Sequence, residues 1–90
     1  MINQKAIKTQ VEIKEWISNY LIKVLELEDE KLDINAHFDT FGIDSITMVE
    51  VSYEVGEWLG IEIDAKSLYK YPTISALSKH LEELVKKNNG

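Results

Sequence analysis

Cysteine is absent from this 90-residue chain, which excludes a disulfide framework, a thiolate metal site and a cysteine nucleophile. One proline and four glycines are too few for a disordered or low-complexity class. No apolar run approaches the roughly 18–20 residues that span a bilayer. The opening stretch from Met1 to Lys8 also lacks the continuous apolar segment of a signal peptide. A soluble, cytoplasmic protein is expected. With 44% hydrophobic residues, the chain can bury one core but not two, so residues 1–90 read as a single domain with an ordered part at about 9–86.

Basic residues are scarce where acidic ones crowd. Between residues 26 and 64 stand twelve carboxylates against Lys31 alone, a local charge of −11. Residues 1–25 carry +2 and residues 65–90 carry +3. A negative field of this density repels nucleic-acid backbones and anionic membranes and steers basic protein surfaces toward it. Neither nucleic acid nor membrane is expected as a partner. The plainer account is a solubilising surface. Glu26, Glu28, Asp29, Glu30 and Asp33 cluster but lack the glycine and ligand spacing of a calcium loop. They read as a solvated face, with no metal site.

Helical periodicity dominates the rest. From about Thr9 to Leu27, the residues Ile13, Trp16, Ile17, Tyr20, Val24 and Leu27 recur on one arc at 100° per residue, predicting a first helix. Residues 28–44 hold turn formers mixed with Leu32, Ile34, Phe38, Phe41 and Ile43. Five large apolar side chains predict a connection pinned to the core. Asp44 and Ser45 supply the oxygens that cap a helix start, and Gly60 is a stop signal. A second helix over Ser45 to Leu59 follows. One short turn around Ala65 to Tyr69 precedes a last helix opened by Pro72 and Thr73, with Ile74, Leu77, Leu81, Leu84 and Val85 as its stripe. The tail from Lys86 to Gly90 is expected to fray. The fold class is all-α: a small four-helix bundle of three long helices and one short one.

On the second helix, Met48, Val51, Val55 and Leu59, with small Ser52, group on a core face. Nearly opposite lie Ile46, Val49 and Tyr53, interleaved with Glu50, Glu54 and Glu57. A solvent face needs the glutamates but not the apolar trio. Scattered exposed apolar residues are common in small bundles; the alternative is a docking surface with apolar anchors and an acidic rim beside Ser45.

The segment Phe41-Gly42-Ile43-Asp44-Ser45-Ile46, followed by Met48-Val49-Glu50, resembles the attachment motif of acyl carrier proteins. The resemblance extends to the leading amphipathic helix, the acidic loop, and Tyr71-Pro72-Thr73-Ile74 opening the last helix, over about residues 11–85. It implies that Ser45 carries a 4′-phosphopantetheine arm transferred from coenzyme A by a phosphopantetheinyl transferase. The arm's thiol then holds acyl groups as thioesters, so a chain without cysteine can serve thioester chemistry. It further implies a non-catalytic, monomeric carrier in which Asp44, Ile46, Val49, Glu50, Tyr53 and Glu57 meet partner enzymes. Without the motif, Ser45 would read as an ordinary helix cap.

A finer resemblance lies in Ile13-Lys14-Glu15-Trp16-Ile17, Glu57-Trp58-Leu59-Gly60 and Leu68-Tyr69-Lys70-Tyr71-Pro72-Thr73. These look like carriers loaded by fatty acyl-AMP ligases in polyketide and lipopeptide biosynthesis. A carrier loaded by an acyltransferase beside a modular synthase, a peptidyl carrier domain and an unmodified helical adaptor are the alternatives. A hydrolase using Ser45 with His37 or His80 is disfavoured, because the Gly-x-Ser-x-Gly turn is missing.

Overall fold

A computed structural model describes residues 8–28 and 32–89; Asp29 and Glu30 of the acidic cluster lie outside them. Thr9 begins the first helix, α1 (Gln10–Leu25), because two otherwise free amides close on each other's side chains. The Glu12 amide donates to Thr9 Oγ1 at 3.2 Å, and the Thr9 amide donates to Glu12 Oε1 at 2.9 Å. Ile13, Ile17 and Leu21 are buried along α1. That line differs from the predicted arc at its far end. Val24 is 40% exposed, Leu27 is half-buried, and Leu21, absent from the predicted stripe, is fully buried. The reason is direction: α1 packs most extensively on the last helix, so the spacing 13, 17, 21 points inward. Trp16 and Tyr20 are turned toward the neighbouring seam.

The connection to the second helix is pinned, as its apolar content predicts. It contains a 3₁₀ turn at Phe38–Phe41, which the sequence pattern did not reveal. Phe38 and Ile43 are buried, and Leu32, Ile34 and Phe41 pack against the core. Two backbone hydrogen bonds stitch the connection to the start of the last helix and the residues just before it. Phe38 N–H donates to the Pro72 carbonyl at 2.8 Å, and Ser75 N–H donates to the Ile34 carbonyl at 3.0 Å. His37 and Thr73 form an isolated antiparallel bridge between them. The Tyr71-Pro72-Thr73 run is therefore the clamp on the loop that leads into Ser45.

Helix α2 spans Ser45–Leu59, the predicted bounds. Asp44 caps it, and Gly60, at φ 76°, ends it in the left-handed conformation that costs glycine least. Met48, Val51, Ser52 and Val55 are buried, as expected; Leu59 only packs against the core from the side. Helix α3 (Lys66–Lys70) is one short stretch that anchors itself through buried Leu68. Helix α4 (Ile74–Asn89) opens with the Ala76 amide donating to Thr73 Oγ1 at 3.0 Å. It buries Ile74, Leu77, Leu81 and Val85, while Leu84 is partly buried against the core.

The tail departs from expectation. Residues 86–89 continue α4 instead of fraying. Lys86 and Lys87 sit in the last turn, where cations complement the negative end of the helix dipole, and Lys86 Nζ lies 4.0 Å from Glu82 one turn back. Among the described residues the architecture is three long α-helices and one short one around a single core. None of these helices is long and apolar enough to cross a membrane.

Candidate functional site

Ser45 is the first residue of α2 and is exposed. Helix starts leave amides without intrahelical partners. Here Asp44 takes part of that load: its carboxylate accepts the Thr47 amide at 2.8 Å. Hydrogen bonds from the Thr47 amide and hydroxyl hold the Asp44 carboxyl below its ordinary value of 3.8. The cap fixes the first turn without engaging its neighbour. Among the described residues no hydrogen bond takes up Ser45 Oγ, and none joins it to His37 or His80. His80 is instead stacked on Tyr71, with centroids 4.1 Å apart.

The first turn of α2 contains no acid. Beyond the Asp44 cap, its partial positive charge lies beside an exposed hydroxyl; a helix start favours a phosphodiester by about 0.3–1 kcal/mol, which the Asp44 carboxylate offsets in part. After Asp44 the next acids come one turn later. Glu50, Glu54 and Glu57 are exposed, and Ile46, Val49 and Tyr53 are 69%, 55% and 63% exposed. The face predicted from the helical wheel is thus assembled, and Asp44 lies at its upper end.

The pattern missed what flanks that face. Val49 and Tyr53 form one wall of an open groove of about 730 Å³, whose other wall is Ile61, Ile63 and Ala65 and whose floor includes Gly56. Its one sequence signal was Gly56, a glycine inside a helical pattern, which often marks a close approach. A smaller cavity of about 150 Å³ lies between the 3₁₀ turn, Met48 of α2, and Leu68 and Tyr69 of α3. Among the described residues no group of three or more acids and histidines could hold a metal ion.

The phosphopantetheine attachment site family matches this chain over residues 15–81, which brackets the capped helix start and the Tyr-Pro-Thr clamp together. The chain belongs to that family. Members carry a covalently attached 4′-phosphopantetheine, and the exposed, unengaged hydroxyl at the capped start of α2 fits such a group. The acyl carrier protein TtuC of Teredinibacter turnerae (strain ATCC 39867 / T7901) is 33% identical over 73 residues, covering 81% of this chain and 84% of that protein. The polyketide synthase PksN of Bacillus subtilis (strain 168) is 30% identical over 71 residues, 79% of this chain but 1% of the synthase. A free-standing peptidyl carrier protein from an uncharacterized Acinetobacter baumannii secondary metabolic pathway superposes with a TM-score of 0.80. It is 27% identical, with 86% of this chain and 96% of that one covered. The chain is accordingly a phosphopantetheine carrier, which holds its load as a thioester and is served by a phosphopantetheinyl transferase and synthase partners.

Proposed function

We propose that Ser45 is the residue that bears the arm. The supporting observation is its placement: the first residue of α2, exposed, with Oγ free of hydrogen bonds while its neighbour Asp44 caps the turn. In the transfer, a phosphoester forms at Ser45 Oγ, and the pyrophosphate bond of coenzyme A breaks to release 3′,5′-ADP. The carrier supplies position, and the transferase supplies the base and metal. When bound, the group contributes a terminal thiol for thioesters. Intact mass after incubation with coenzyme A, magnesium and a broad-specificity transferase should rise by one phosphopantetheinyl group. Ser45→Ala should block the gain with helical circular dichroism unchanged. A modified Ser45→Ala chain would sink the assignment, and an unmodified natural chain would favour the helical adaptor.

The exposed trio Ile46, Val49 and Tyr53, rimmed by Asp44, Glu50 and Glu57, is the proposed docking face for the transferase and loading enzyme. Charge of this sign acts mainly on encounter rates. The whole chain from 1 to 90 is read as one monomeric, cytoplasmic, non-catalytic domain.

The pathway reading is acyl transfer in polyketide or lipopeptide biosynthesis, supported by the likeness to TtuC and to a small part of PksN. The pattern around Trp16, Trp58 and Tyr71 supports loading by a fatty acyl-AMP ligase. The arm-bearing chain should gain an acyl group from ATP, free fatty acid and a ligase of the same gene cluster, and not from acyl-coenzyme A. Efficient loading by a malonyl acyltransferase, with none by the ligase, would replace this by an ordinary polyketide carrier.

A further inference from the structure

The docking face occupies one flank of α2; a different surface occupies the other. Trp16 stacks on Tyr20 with centroids 5.2 Å apart and planes 7° from parallel, and on Trp58 at 5.4 Å and 15°. Three rings thus form a continuous ladder across the α1–α2 seam. All three are only partly buried. Lys8 Nζ already sits 5.2 Å from the Trp58 centroid, so that end of the ladder accepts a cation on its ring face.

Along α1, Trp16, Tyr20 and Val24 follow at four-residue spacing, which aligns them on one side of the helix. Val24, at 40% exposed, is an apolar residue that packing against α4 left outside. Trp16 near Trp58 and Tyr20 near Glu54 and Glu50 set the two helices antiparallel, so Val24 lies toward the Ser45 end of α2. Burial and the negative fields of Glu54 and Glu50 push the Tyr20 phenol upward, which marks those two carboxylates as edging the strip. The α2 wheel places Thr47, Glu54 and Trp58 on this side and Val49 and Tyr53 on the other.

We propose that the strip Trp16–Tyr20–Val24, bordered by Glu50 and Glu54, is a second protein-docking surface, and that its occupant is a basic amphipathic helix of a partner enzyme. Aliphatic side chains of that helix lie on Tyr20 and Val24. Its arginines pair with Glu50 and Glu54, where no base competes: among the described residues neither glutamate makes an ion pair. Glu50 serves both flanks, so two partners reading opposite sides of α2 would exclude each other.

The surface does not depend on the arm, and its test can be separated from the attachment reading. The probe is a 14-residue helical peptide with leucine and arginine at four-residue spacing, titrated into the full chain and into Ser45→Ala. Tryptophan emission and backbone amide shifts are followed. Both chains should bind alike, with shifts centred on Trp16, Tyr20, Val24 and Glu54. Val24→Asp and Glu54→Lys should each weaken binding about tenfold, roughly 1.4 kcal/mol. Val49→Asp should leave affinity unchanged, as should Val24→Asp for transferase modification. Shifts centred on Val49, Tyr53 and Ile61, or affinity indifferent to Val24→Asp and Glu54→Lys, would overturn the proposal. So would equal binding of a glutamate-for-arginine peptide.

Discussion

A β-carbon on Gly56 would stand 2.7 Å from the carbonyl oxygen of Ile61. The chain turns back so tightly after α2 that Gly60 and Ile61 both donate to the Gly56 carbonyl, at 2.7 and 3.0 Å. Glycine inside a helix costs about 1 kcal/mol relative to alanine; here it buys the close return that walls the groove. Gly56→Ala would gain helix propensity and meet a backbone oxygen that no rotamer change can move. Overpacking of this kind costs about 1–3 kcal/mol. A net loss of up to about 2 kcal/mol in urea unfolding is expected, with amide shifts spreading to Ile61 and Ile63.

Ser78 and Leu77 are adjacent on α4, both fully buried, yet they should respond in opposite ways. Ser78 Oγ has no hydrogen-bond partner, and a buried hydroxyl without one is a desolvation cost of about 1–3 kcal/mol. Ser78→Ala should leave stability unchanged or raise it by about 1 kcal/mol. Leu77→Ala should lower it by about 2–5 kcal/mol by opening a cavity. Chemical denaturation of the two variants side by side checks both.

Acidification should weaken the fold partly through His80. Burial against Tyr71, reinforced by Lys70 and opposed by Glu83, holds this imidazole below its ordinary value of 6.5. The unfolded chain therefore binds the proton more readily. The contribution is complete above about pH 6.5 and is lost as pH falls through the folded value. Partial exposure keeps the slope shallow. Nuclear magnetic resonance titration should find His80 below 6.5, and His80→Gln should flatten this part of the stability profile.

Charge reversal at Glu50 and Glu57 should slow association with the transferase and leave the unfolding midpoint nearly unchanged, because both side chains are exposed. Added salt should shrink the difference from the natural chain. Stopped-flow modification kinetics at two ionic strengths supply the measurement. Rates indifferent to reversal at low salt would reduce the acidic face to solvation.

Local chemistry explains which features were legible. The bounds of α2 were readable because Asp44 and Gly60 are strong local punctuation, a cap and a left-handed stop. The exposure of Ile46, Val49 and Tyr53 followed from a wheel, since a helix with one core leaves its far side outside. Val24 and Leu21 were exchanged because the arc of α1 depends on which neighbour it leans on, and only the assembled bundle shows that α4 takes precedence. Leu68 was unreadable for a similar reason: five helical residues carry too little periodicity to reveal a face. The persistence of α4 to Asn89 came from buried Val85 holding the helix just upstream of residues that looked like tail.

The stitch between the loop and the Pro72 segment bears on reach. A load on a leash can visit only the sphere drawn about the leash's fixed end, and the leash's length is set by its chemistry. What the protein can set is where the centre lies and how still it stays. Phe38 tied to Pro72, and Ile34 tied to Ser75, bind the approach to α2 to chain 34 and 41 residues away. The proposed anchor thus inherits the rigidity of the whole bundle. Loosening the tie, as Pro72→Gly would, should blur delivery before it unfolds anything.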